Sequence, residues 1–129
     1  MPDLAAKKKR PLWYNLSPLN LPLPGLVSIL HRVSGILLFL GLAWLLFVLD
    51  ASLASETGFA HARAQLAHPA VKVVLLGFLW AYLHHFCAGI RYLFLDIDRG
   101  VDLRAARASS YAVLAVSLAL TALLGMRLW

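Results

Sequence analysis

Three long apolar runs, separated by short polar segments, dominate the pattern of hydrophobic and polar positions along this chain. Each run reaches the roughly 20 residues that an α-helix needs to cross a hydrocarbon core of about 30 Å. We therefore predict membrane-spanning helices over residues 26–49, 70–95 and 109–128. In the polar connection between the first two, residues 59–66 are predicted to form a short amphipathic helix.

The segment before the first run is rich in proline and in positive charge. Its prolines include Pro11, Pro18, Pro22 and Pro24, which remove amide donors and disfavour the helical region for the preceding residue. We expect residues 1–25 to form an irregular cytoplasmic segment with no cleaved signal peptide, because no small-residue cleavage site follows its basic stretch. Residues 26–129 are expected to form one three-helix transmembrane anchor.

Polar residues interrupt two of the apolar runs at regular spacing. Ser28, His31, Arg32 and Gly35 are separated by three or four residues, so a helix would place them on one face. An arginine near the bilayer centre costs roughly 2.5–3.5 kcal/mol, and such residues usually mark a functional site. The second interrupted run contains His84, His85 and Arg91.

Composition supports an all-α integral membrane protein that forms part of a multi-chain helical bundle. The 129 residues are 61% hydrophobic and 14% charged, against about 25% charged in soluble domains. The net charge is +6, but the basic residues flank the apolar runs and form no continuous stripe, so we expect no nucleic-acid partner. Cys87 is the single cysteine and cannot form an internal disulfide.

The distribution of basic residues predicts the orientation in the membrane. One side of the predicted spans carries Lys7, Lys8, Lys9, Arg10, Arg99, Arg104 and Arg107, and the other carries Arg63, Lys72 and Arg127. Because cytoplasmic loops carry the excess of Lys and Arg, we expect a multi-pass protein with a cytoplasmic N-terminus.

Two motifs resemble those of a known family. Residues 28–35, which read Ser-Ile-Leu-His-Arg-Val-Ser-Gly, resemble the signature of the cytochrome b subunit of succinate dehydrogenase, the first membrane anchor of complex II. Residues 85–96 resemble that family's haem-ligand segment at the family's spacing. With Arg10-Pro11 near the start and a third apolar run ending at Trp129, the resemblance covers nearly the whole chain and implies a bacterial cytoplasmic (inner) membrane protein.

The second motif predicts a haem ligand. His84 and His85 point roughly 100° apart on a helix and cannot both face one porphyrin. The residues alone favour His85 only modestly, through Gly89 and Tyr92 on its face. The family's axial histidine lies four residues before the glycine of Gly-Ile-Arg, so the resemblance implies that His85 ligates the iron of haem b. No other intramembrane histidine is well placed, and the family takes the second axial histidine from a second membrane-anchor subunit, so that the two chains share the haem.

The first motif predicts contacts to quinone and to haem propionate. Arg32 and Ser28 offer hydrogen-bond donors one turn apart, and in the family the corresponding residues help to form the ubiquinone site beside the iron-sulfur subunit. We expect His31 or Arg32 to bind a haem propionate; the competing interpretation is that Arg32 extends to lipid phosphate as an anchor. The resemblance also implies a flavoprotein subunit, while this chain contacts membrane lipid.

Two departures limit what the resemblance transfers. The family often has a histidine where this chain has Tyr92, so the propionate contact of that histidine is not carried over. Residues 17–20 read Ser-Pro-Leu-Asn where many members have Ser-Pro-His. Two alternatives stay open: a fumarate reductase anchor that uses menaquinone, and a small transporter or structural bundle in which Arg32, His85 and Arg91 form a buried polar network.

Overall fold

The computed structural model describes residues 21–129, which form four α-helices and contain no strand. In chain order these are α1 (Leu23–Ala54), α2 (Glu56–Ala67), α3 (Pro69–Asp96) and α4 (Leu103–Leu128). Helices α1, α3 and α4 are long and apolar enough to cross a membrane. The prediction of an all-α protein with three spanning helices is thus confirmed, while residues 1–20 of the predicted N-terminal segment lie outside the described residues.

The helices extend beyond the predicted ranges at several ends. Helix α1 begins at Leu23 and includes Pro24, because a proline in the first turn loses no intrahelical hydrogen bond. It also continues past Asp50, whose exposed side chain leaves the helix intact, to Ala54. Helix α4 begins six residues before the predicted position 109, after Asp102 caps it by accepting a hydrogen bond from the amide of Ala105 at 2.9 Å.

Two further side-chain caps lie in the connection between the first two spans, one before α2 and one before α3. Ser55 starts α2 by accepting a hydrogen bond from the Gly58 amide at 3.0 Å. After α2 ends, His68 Nδ1 accepts a hydrogen bond from the Ala70 amide at 3.2 Å and so caps α3. His68 thus has a structural role at the start of α3.

Helix α3 lies between the other two spans and contacts both α1 and α4. The ring of Phe78 fills the space beside Gly41, where a Cβ atom would overlap it. The buried hydroxyls of α4 donate hydrogen bonds to carbonyls of their own helix, as serine and threonine side chains in helices commonly do. The three bonds run from Ser110 to the Ala106 carbonyl at 2.7 Å, from Ser117 to the Leu114 carbonyl at 3.1 Å and from Thr121 to the Ser117 carbonyl at 2.7 Å. Helix α4 therefore packs as a support for α3.

Candidate functional site

The histidines of the two motifs meet where α1 packs against α3. The rings of His31 and His85 are stacked, with centroids 4.1 Å apart and planes 13° from parallel. Gly35 lies one turn after His31, and a Cβ atom there would approach His85 Cε1 to 3.0 Å. The absence of a side chain at Gly35 therefore lets the His85 ring lie directly against α1.

The hydrogen bonds of His85 define its tautomer. Its Nδ1 lies 3.0 Å from the carbonyl oxygen of His31 and 3.1 Å from Ser34 Oγ. A carbonyl oxygen only accepts, so Nδ1 carries the hydrogen and donates it. The Ser34 hydroxyl donates its own hydrogen to the same carbonyl at 2.9 Å, which leaves Ser34 Oγ as a second acceptor for Nδ1. The lone pair of His85 then resides on Nε2, as in a neutral imidazole that binds a metal.

The neighbouring histidine occupies a different environment. His84 is fully buried, whereas His85 is half-buried between α1 and α3. The His84 ring lies 5.2 Å from that of Trp80, and neither of its ring nitrogens has a hydrogen-bond partner within residues 21–129. A planar macrocycle needs access to the ligand nitrogen, and this difference in burial favours His85 over His84.

The stacked histidines do not form a two-ligand haem site by themselves. Two axial ligands of a haem iron approach it from opposite faces of the macrocycle. The rings of His31 and His85 lie face to face with centroids 4.1 Å apart, which leaves no room for a macrocycle between them. The other histidines of the described chain are His84 in the interior and the exposed His61 and His68 of the α2 region. The arrangement fits a site that another chain completes.

Tyr92 belongs to the His31 cluster, and the guanidinium carbon of Arg91 lies 5.5 Å from the centroid of the Tyr92 ring. The Tyr92 ring lies 5.1 Å from that of His31, and its buried hydroxyl has no partner among the described residues. Arg91 points towards α4, where its Nε donates a hydrogen bond to Ser109 Oγ at 2.9 Å. Since His85 bonds to α1 and Arg32 is exposed, no hydrogen bond in the described chain joins Arg32, His85 and Arg91 into the network of the transporter interpretation.

The structure divides the four residues predicted to share one face of α1. His31 and Gly35 turn towards α3 and contact His85. Ser28 is half-buried, and Arg32 is exposed at the edge of the helix. The side chains proposed for quinone therefore lie outside the contact between the two histidines.

An apolar groove lies along the α1–α3 contact, beyond the histidines. It has a volume of about 650 Å³, and its walls include Leu38 and Gly41 from α1 and Phe78 and Tyr82 from α3. Leu38 lies one turn after Gly35, and Tyr82 lies one turn before His85. The groove is thus separate from the histidine pair and lies about one helical turn further along the α1–α3 contact.

Comparison with known proteins identifies the family. The family model described as succinate dehydrogenase/fumarate reductase transmembrane subunit matches residues 6–124. The chain belongs to this family. Three proteins named succinate dehydrogenase cytochrome b556 subunit are each 34% identical to it: those of Coxiella burnetii (94% of this chain and 98% of the relative), Paracoccus denitrificans (88% of each) and Rickettsia typhi (90% of each). As a member of the succinate dehydrogenase/fumarate reductase transmembrane subunit family, the chain is a multi-pass membrane protein and an anchor subunit of an enzyme complex.

Sequence analysis assigned no role to Ser34, although the residue lies inside the first motif. Its hydroxyl reaches a side chain 51 positions further along the chain. The available signal was its position three residues after His31, which allows a hydroxyl to bond to that residue's carbonyl. The bond to His85 depends on how α1 and α3 pack, and a one-helix pattern does not contain that information.

Proposed function

We propose that this chain is the cytochrome b anchor subunit of a succinate dehydrogenase and that it binds haem b through His85. The observation that carries the proposal is the pair of acceptors at His85 Nδ1, which keeps the lone pair on Nε2 in a half-buried imidazole between two spanning helices. The names of the relatives support the same assignment. When bound, haem b supplies one-electron transfer.

The residues around His85 then have separate tasks. The carbonyl of His31 and the hydroxyl of Ser34 hold the ligand ring in one tautomer and one orientation. His31 or Arg32 binds a propionate near the start of α1. The second axial histidine comes from a second membrane-anchor subunit, because the His31 ring is stacked directly on that of His85 and leaves no space for a macrocycle between them.

The quinone assignment rests on the edge of α1. Ser28 and Arg32 lie one turn apart, half-buried and exposed respectively, so both are able to donate hydrogen bonds to a quinone oxygen that reaches this end of the helix. We infer that ubiquinone is reduced there, beside an iron-sulfur subunit that receives electrons from a flavoprotein subunit. A fumarate reductase anchor with menaquinone would use the same two side chains, and the relatives named as succinate dehydrogenase subunits favour ubiquinone.

The location follows from charge. In the sequence, seven basic residues flank the spans on the side of the N-terminus, namely Lys7, Lys8, Lys9, Arg10, Arg99, Arg104 and Arg107, against Arg63, Lys72 and Arg127 on the other side. This excess supports a bacterial cytoplasmic membrane with the N-terminus in the cytoplasm.

A pair of matched substitutions tests the haem assignment. His85→Leu and His84→Leu each replace a histidine with an apolar residue in the complete complex. We expect His85→Leu to abolish the normal b-type bands in a reduced-minus-oxidised spectrum. We expect His84→Leu to retain them, because His84 is fully buried and its side chain points about 100° away from that of His85.

The opposite pattern would show that His84 is the ligand. A full bis-histidine spectrum from this chain expressed without a second anchor would contradict the shared site. Co-purification of the other subunits distinguishes failed assembly from lost ligation. A variant that no longer co-purifies with them has failed to assemble.

A further inference from the structure

A second groove lies between α3 and α4, away from the paired histidines. It has a volume of about 390 Å³, with Arg91 and Phe94 of α3 on one side and Ser109 and Ala112 of α4 on the other. Phe94 lies nine residues after His85, which corresponds to about two and a half helical turns and so to the opposite face of α3. The groove therefore opens away from the side on which His85 would bind haem.

A buried cation forms the inner wall of this α3–α4 groove. Arg91 is only 7% exposed, and its Nε donates a hydrogen bond to Ser109 Oγ at 2.9 Å. The two terminal amino groups of its guanidinium make no hydrogen bond and no ion pair within residues 21–129. A buried charge in a spanning helix is costly unless an opposite charge accompanies it. The lining of the groove contains no acidic residue that would supply that charge.

A second cation stands at the polar end of the same groove. Arg99 lines it from the turn after α3, where its amide bonds to the carbonyl of Phe94 at 2.9 Å. Gly100, with a φ of 75°, follows in the left-handed region that this turn requires. Two guanidinium groups thus line the groove near the end of α3, and basic residues at the end of a spanning helix attract anionic lipid headgroups.

The rest of the groove is apolar. Ile90, Phe94 and Leu95 line it from α3, and Ala112 lines it from α4. The acidic side chains near this end, Asp96, Asp98 and Asp102, are exposed and do not line it. A ligand that matches this distribution has an anionic group at one end and a hydrocarbon chain at the other.

We propose that the α3–α4 groove binds an anionic phospholipid. The phosphate group lies between Arg91 and Arg99 and supplies the counter-charge that the described chain lacks. One acyl chain follows the apolar wall formed by Ile90 and Phe94. This site is separate from the haem and quinone assignments and does not depend on them.

Native mass spectrometry of the intact, delipidated complex tests the proposal, with phosphatidylglycerol and phosphatidylcholine titrated separately. The matched variants are Arg99→Ala, which removes a groove cation, and Arg104→Ala, which removes an exposed cation from the same end of the bundle but outside the groove. We expect Arg99→Ala to weaken phosphatidylglycerol binding about fivefold, the factor that corresponds to about 1 kcal/mol for one basic residue near an anionic headgroup. Arg104→Ala is expected to change it less than twofold.

A third variant tests the hydrocarbon part without changing charge. Ala112→Phe fills the groove and should also weaken phosphatidylglycerol binding, while both guanidinium groups remain. Equal binding of the two lipids by the unmodified complex would overturn the proposal. So would equal losses in Arg99→Ala and Arg104→Ala, which would indicate general surface attraction, or unchanged binding in Ala112→Phe.

Discussion

The hydroxyl of Ser34 should tune the ligand that we assign to haem, and Ser34→Ala tests this directly. Ser34 is 2% exposed, and its Oγ is one of two acceptors for His85 Nδ1, at 3.1 Å. The other acceptor, the His31 carbonyl at 3.0 Å, belongs to the backbone and survives the substitution. The tautomer of His85 is therefore retained, and we expect the variant to bind haem with one hydrogen bond fewer behind its ligand.

The size of the effect follows from the value of that bond. A neutral hydrogen bond contributes about 0.5–1.5 kcal/mol net, and only the part that differs between ferric and ferrous haem changes the potential. A difference of about 0.25–1 kcal/mol corresponds to about 10–40 mV for one electron, at 59 mV per tenfold change in the equilibrium constant. Donation from Nδ1 makes the imidazole more basic and so favours ferric iron. Its partial loss should raise the midpoint potential.

The assay is a potentiometric titration of the haem bands in the purified complex. Ser117→Ala is the matched control, since Ser117 is fully buried and its hydroxyl bonds to the carbonyl three residues earlier at 3.1 Å, as that of Ser34 does at 2.9 Å. Ser117 lies on α4 and does not contact His85. This reasoning would be refuted if the haem midpoint potential of Ser34→Ala equalled that of Ser117→Ala, or if it were lower than that of the unmodified complex.

Two further predictions concern packing and quinone reduction. Gly41→Ala should lower the stability of the complex by about 1–3 kcal/mol, because the new methyl group would overlap Phe78. In the control variant Gly77→Ala the methyl group meets no atom within 4 Å, so this change should be neutral or slightly stabilising. Equal melting temperatures of the two variants would contradict the close α1–α3 contact. Ser28→Ala or Arg32→Leu should lower quinone reduction more than succinate oxidation measured with an artificial acceptor. Equal losses in the two assays would count against a quinone role.

The periodicity of the sequence predicted what happens within one helix. Three apolar runs gave three spanning helices, and the 100° step between adjacent residues separated the environments of His84 and His85. The helix ends were less accurate, since the span predicted over residues 26–49 is shorter than α1, which also includes Pro24 and Asp50. Proline is compatible with a first turn, and an exposed aspartate does not end a helix that continues to be supported by packing.

Contacts between helices could not be predicted in the same way. The bond from Ser34 to His85 joins two helices, and nothing in either segment alone gives their relative rotation. The same limit explains Arg32, which the helical spacing grouped with His31 and which the structure leaves exposed. One face of a helix includes residues at its centre and residues at its edges. Which of these residues contact a neighbouring helix depends on where that helix packs.

The polar groups inside the bundle divide into those that this chain satisfies and those that it does not. The hydroxyls of α4 bond to carbonyls of their own helix, and His85 bonds to a carbonyl of α1, so these groups have hydrogen-bond partners within the chain. Arg91 lacks a counter-charge within residues 21–129, and the buried hydroxyl of Tyr92 lacks a partner there. These two groups belong to adjacent residues, about 100° apart around the axis of α3, and the Arg91 guanidinium carbon lies 5.5 Å from the centroid of the Tyr92 ring. Tyr92 also lies beside the paired histidines, whereas Arg91 lines the α3–α4 groove. Neighbouring residues of α3 therefore have two different needs that the described chain leaves unmet: a hydrogen-bond partner for a phenol hydroxyl and a counter-charge for a guanidinium group.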